Sequence, residues 1–186
     1  MTTPPFDNDP SAAPTETDIA IVSAQLGRPA RGVVAIAARC VCGAPTVVAT
    51  APRLPDGTPF PTFYYLTHPA ATAAISALEA DHVMNGFNDA LIEDEELRAA
   101  FALAHASYLA DRESIDAVAE IEGVSAGGMP NRVKCLHALA AHSLAAGPGV
   151  NPIGDAALDR AEWSPKVCVC RDYDVPDASH FRRTAP

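Results

Sequence analysis

The placement of proline sets the first limit on what this chain can fold into. Its 17 prolines fall mainly in a leading stretch, in residues 45–69 and in the tail, while alanine fills the middle. Each proline fixes its own φ and withdraws a backbone donor, which confines helices and central strands to the segments between the clusters. The chain divides into a proline-punctuated part suited to short strands and turns and an alanine-rich part suited to helices. No internal repeat is visible.

Within the first part, β-favouring runs at residues 33–39, 46–50 and 60–66 are separated by turn residues Gly43 and Asp56-Gly57, the pattern of an antiparallel meander. Before them, Thr17 and Asp18 cap a short helix ending at Gly27, with Ile19, Val22 and Leu26 on one face. Pro69 suits the first position of a helix reaching about residue 80, which makes His68 its N-cap. Residues 94–121 read as a long helix whose stripe of Leu97, Phe101, Ala104, Tyr108 and Ile115 faces the core. Gly127-Gly128-Met129-Pro130 then breaks the chain and opens a helix over residues 130–146, closed by Gly147-Pro148-Gly149. The expected fold class is α+β: a mostly helical single domain with a small three-stranded antiparallel meander. Its expected organisation is a disordered lead over residues 1–16, one globular domain over 17–163 and a loosely ordered tail over 164–186. At 186 residues the chain has one domain's length.

Charge removes one class of partner. With 13 Lys+Arg against 23 Asp+Glu the net charge is -10, which argues against the broad basic face that nucleic acid requires. No apolar run approaches the roughly 20 residues that span a bilayer, so no membrane partner is expected. Residues 1–16 lack both the basic start and the apolar middle of a secretory signal, and a cytoplasmic location is the expectation. In that reducing setting, five cysteines more often serve metal binding or catalysis than disulfides.

Three segments, read together, carry a family resemblance. They are Arg39-Cys40 with Gly43-Ala-Pro; the run Asp56-Gly-Thr-Pro-Phe-Pro-Thr-Phe-Tyr-Tyr-Leu-Thr-His-Pro69; and Gly128-Met-Pro-Asn-Arg-Val-Lys-Cys-Leu-His137 with Asn151-Pro-Ile-Gly154. In this order, over roughly residues 18–160, the chain resembles the domain of unknown function 501 family, bacterial and best populated in actinobacteria. The resemblance implies a cytoplasmic bacterial protein and brings no substrate with it. It also implies Cys where this chain carries His68, and Cys and His exchange readily as zinc ligands.

Three functional readings remain open. The first is a metal site of Cys40, His68 and Cys135, with thiolate and imidazole donors suited to zinc or, if mainly thiolates take part, to an iron-sulfur cluster. A helix over residues 130–146 would turn Cys135 and His137 about 200° apart, so only one of the pair could contribute. A second metal set is Cys40-Val-Cys42 with Cys168-Val-Cys170, four thiolates whose pairs enclose one residue instead of the usual two to four. Against both stands the simpler reading of Cys40 and Cys135 as small buried hydrophobes and of the tail cysteines as exposed thiols. The second reading is a cysteine-dependent enzyme acting on a small anionic ligand, phosphate or carboxylate. Here Arg39, Arg132 and Lys134 bind the anion, Cys135 is the nucleophile, and His137 or His68 carries the proton. Charge distribution suits this reading: residues 27–58 and 123–154 hold six cations against Asp56 alone. The third is a non-catalytic interaction module whose acidic helix meets a protein partner. No nucleotide-binding glycine fingerprint, serine elbow or His-Glu-x-x-His motif is present.

Overall fold

The computed structural model describes residues 12–170. Most of the expected lead, and the tail from residue 171 with His180, lie outside the described residues. In chain order the elements are α1 (Glu16–Leu26), β1 (Val33–Arg39), β2 (Pro45–Thr50), β3 (Tyr64–Leu66), α2 (Pro69–Ala80), α3 (Val83–Glu93), α4 (Glu95–Ile115), a 3₁₀ turn (Ala119–Ile121), α5 (Leu136–Ala146) and α6 (Pro152–Arg160). The fold is a mostly helical α+β domain whose antiparallel sheet has the order β1-β2-β3.

The sheet is covered on both faces, which explains why all six residues of its central strand β2 are buried. Side chains alternate across a strand. Val48 and Ile36 accordingly meet Val22 of α1 on one face, while Val47 and Ala49 join the main core on the other. That core is centred on α5, where every residue from Ala138 to Ser143 is buried. The third strand is shorter than residues 60–66 because proline at 59 and 61 offers no ladder donor. The neighbouring Phe63 amide instead donates to the Tyr108 hydroxyl of α4.

Local signals account for most helix ends. Thr15 and Asp18 form a reciprocal capping box at the start of α1, and Gly27 closes it at φ 65°. Pro69 opens α2 and His68 is its N-cap, as expected. The stripe on α4 is core, but the helix ends at Ile115, short of the expected residue 121. There the buried Arg112 guanidinium donates to the carbonyls of Val124 and Ile121, drawing the chain into its 3₁₀ turn. Helices α3 and α6 were not anticipated.

The largest departure lies before α5, which starts at Leu136 and not at residue 130. The backbone of residues 127–135 is committed elsewhere. Asn88 of α3 clamps Val133, accepting from its amide at 2.8 Å and donating to its carbonyl at 3.1 Å. The Gly127 carbonyl accepts from the Lys134 amide at 2.7 Å. Cys135 is therefore the N-cap of α5 with an extended backbone, and the helical angle that would separate it from His137 does not apply.

α6 crosses α5 at Gly154. A β-carbon there would overlap the Ser143 hydroxyl and the Leu139 carbonyl, a backbone group that cannot move without disturbing α5. Gly154→Ala should destabilise the fold by about 1–3 kcal/mol, the usual cost of overpacking, as measured by urea unfolding. A change below a few tenths would mean that the two helices are not held at this spacing.

Candidate functional site

Cys40 ends the region of β1 and Cys42 lies in the turn to β2, where the Cys40 amide donates to Ala44 and the Gly43 amide to Cys40. The C-terminal segment after α6 returns to this turn, and the Val41 amide donates to the Pro165 carbonyl at 3.1 Å. That docking brings Cys168 and Cys170 to Cys40 and Cys42, and all four sulfurs lie within 4.8 Å of one another. Cys40 and Cys42 are buried, Cys170 is half-buried and Cys168 is exposed. All four are free thiols: Cys42 Sγ and Cys170 Sγ are 3.3 Å apart, beyond the roughly 2.05 Å of a disulfide. A single zinc ion with sulfurs at about 2.3 Å sets its ligands about 3.8 Å apart, so the spacing suits one ion. A cluster interposes several irons and bridging sulfides and must spread its thiolates wider.

Burial opposes ionisation of Cys170 and Cys42 in the absence of a cation. Burial, then the neighbouring thiols of Cys42 and Cys40, push Cys170 far above the ordinary range. Burial likewise raises Cys42, whereas the backbone amide of Cys170 lowers the exposed Cys168. A bound cation reverses this balance by pairing with every thiolate at once.

His68 touches this group from outside. Its Nε2 is 3.1 Å from Cys170 Sγ, and its Nδ1 accepts the Ala71 amide at 3.4 Å as the α2 cap. Burial holds its pKa below the usual imidazole range, so the ring is neutral. With Nδ1 accepting, the single ring proton sits on Nε2 and points at the Cys170 sulfur. The other side of the ring packs on Trp163, centroids 5.5 Å apart.

Cys135 belongs to a second, separate group with Glu79 of α2 and His137 of α5. The expected trio of Cys40, His68 and Cys135 is thus divided: Cys40 joins the four thiols, His68 abuts Cys170, and Cys135 meets His137. His137 Nδ1 lies 3.1 Å from Glu79 Oε1 and 4.0 Å from Cys135 Sγ. The Leu136 amide donates to the same Glu79 oxygen at 2.7 Å. The Cys135 sulfur first, and the Glu79 carboxylate after it, raise the His137 pKa to about 9 against partial burial. Both Cys135 and His137 line a cavity of about 770 Å³ that also includes Thr67 at the end of the sheet.

The cations expected to bind an anion do not line that cavity. Arg39 grips Asp18 through two bonds of 2.7 and 3.0 Å and donates to the Gly43 carbonyl at 2.9 Å. Burial would raise the Asp18 pKa, but the Arg39 guanidinium and the Thr15 cap outweigh it and hold the carboxylate below its usual value. Arg132 and Lys134 are exposed on the loop that replaces the expected first turns of α5. Sequence reasoning missed Glu79, which is one of 23 acidic residues in the chain and belongs to no metal-ligand motif; only the packing of α2 on α5 singles it out.

These features define a small α+β protein with a cysteine group able to hold a metal ion. The particular relationship is direct: residues 36–159 match the family described as Protein of unknown function (DUF501), and the chain belongs to it. The match includes Cys40, Cys42, Glu79, Cys135 and His137, and ends before Cys168. Neither the curated proteins nor the solved structures provide a match to this chain. Among the described residues, no helix is long and apolar enough to cross a membrane.

Proposed function

We propose that this protein binds one zinc ion through Cys40, Cys42, Cys168 and Cys170, and that the ion clasps the C-terminal segment onto the β1–β2 turn. The observation that carries the reading is the meeting of two Cys-Val-Cys pairs, 128 residues apart between Cys42 and Cys170, with all four sulfurs inside 4.8 Å. Four thiolates leave no open coordination position, the arrangement of a structural rather than a catalytic ion. His68 supports it as an outer N–H donor to the Cys170 sulfur, the second-shell contact that thiolate and imidazole sites commonly use. Thiolate ligation also fits a reducing cytoplasm.

Elemental analysis of protein purified without oxygen tests this. Cys40→Ser with Cys42→Ser should remove one equivalent of zinc per chain. Zinc content unchanged by that double substitution would overturn the reading.

A further inference from the structure

The second group has a different character from the clasp. His137 Nε2 lies 3.2 Å from both the Thr72 carbonyl and the Ser76 hydroxyl, which fixes the ring so that Nδ1 faces Glu79 Oε1 at 3.1 Å. With Cys135 Sγ these atoms form a group of three donors, all within 4.8 Å of one another. The distances lie within about 0.4 Å of those that a tetrahedral zinc imposes. With zinc bonds of about 2.1 Å to N and O and 2.3 Å to S, the expected separations are about 3.4 Å for N to O and 3.6 Å for S to N. The observed separations are 3.1 and 4.0 Å. The outer contacts are in place too: Thr72 orients the imidazole, and the Leu136 amide holds the carboxylate.

Among the described residues three donors converge here, and two of them line the cavity of about 770 Å³. Its wall mixes apolar Leu26, Leu66 and Ala138 with the hydroxyl-bearing Tyr65, Thr72 and Ser76. Among the described residues, no arginine or lysine lines it. We propose that Cys135 Sγ, His137 Nδ1 and a Glu79 carboxylate oxygen form a second metal site, which takes a divalent ion such as zinc and offers its fourth position to a small, largely apolar ligand bearing one oxygen donor. Three protein donors with an open position facing a cavity is the pattern of zinc sites that polarise a bound water or carbonyl. This proposal does not depend on the four-thiol clasp.

The test uses the full chain and the metal alone. Zinc per chain after gel filtration should be two equivalents for the native sequence and one after Cys135→Ser. Glu79→Gln preserves an acceptor for the Leu136 amide, and should weaken the second equivalent about tenfold or more while thermal unfolding confirms a native fold. A native content of one equivalent that neither Cys135→Ser nor Glu79→Gln lowers overturns the second site and leaves the clasp standing. A native content of one equivalent that is lost with Cys135→Ser but kept with Cys40→Ser/Cys42→Ser establishes the second site and overturns the clasp. Cobalt bound to the Cys40→Ser/Cys42→Ser/Cys168→Ser/Cys170→Ser chain should show one thiolate charge-transfer band and a visible spectrum altered by acetohydroxamate. A spectrum that acetohydroxamate leaves unchanged overturns the open fourth position.

Discussion

Chelating the ion from the four-thiol clasp should release residues 161–170 from the β1–β2 turn and shift the fluorescence of Trp163, the single tryptophan, to longer wavelength. Besides the sulfurs, this segment is held at its start by Ala161 and Trp163 packed against the main core, Trp163 beside His68, and further on by the Val41 to Pro165 backbone bond. These contacts do not balance the conformational freedom that the residues after Trp163 regain when the ion leaves. Because the unfolded chain lacks the site, ion binding adds directly to folding stability. Free zinc a thousandfold above its dissociation constant contributes about 4 kcal/mol. For a domain of this size that corresponds to a fall of roughly 10 °C in Tm on metal removal. Cys40→Ser/Cys42→Ser should show the lower Tm and the shifted emission from the start, and chelator should leave its emission unchanged. Native protein whose emission and Tm ignore chelation would show that the segment is held without a metal.

The sequence made the meander, the α2 boundaries and the identity of the chemistry-bearing residues legible, because each rests on local signals. Pro69 and His68 define the start of α2 within three residues of chain. Gly27 and the Asp56-Gly57 turn act at similar range. The arrangement of the sites was less legible, because it depends on contacts between distant segments. Whether Cys135 and His137 can act together turns on where α5 starts, and that is decided by Asn88, 45 residues earlier. Glu79 enters only because α2 packs against α5. The two Cys-Val-Cys pairs were visible as a four-thiolate set, but their short spacing argued against them. That objection assumes each pair must wrap the ion alone, as in a zinc finger. Here one pair sits in a strand-connecting turn and the other on a docked segment, so the fold and not the spacing brings the sulfurs together.

Acid should destabilise the core through a residue that no functional reading used. His142 lies on α5 with no solvent exposure, stacked on Tyr64 and edge-on to Tyr108. Asn151 fixes its tautomer: the Asn151 Oδ1 accepts the Gly154 amide at 2.9 Å, so its Nδ2 donates to His142 Nδ1 at 3.2 Å. The remaining ring proton is on Nε2, which has no partner among the described residues, and a second proton would bury a charge beside aromatic rings. Burial lowers the His142 pKa to about 4, only partly opposed by Asp155. The unfolded chain takes up its proton near pH 6.5, before the folded one does. The stabilisation is therefore complete above pH 6.5, is lost as pH falls toward 4, and amounts to about 3 kcal/mol over that window. Asp18 adds its own loss only below its ordinary carboxylate range. Urea unfolding of metal-free protein isolates the effect, since thiolate ligands also shed their ion on acidification. His142→Gln keeps an acceptor for Asn151 but cannot titrate, and should flatten the stability profile between pH 6.5 and 4 by that amount while lowering stability at pH 7. Parallel profiles for the two proteins would place the acid sensitivity elsewhere.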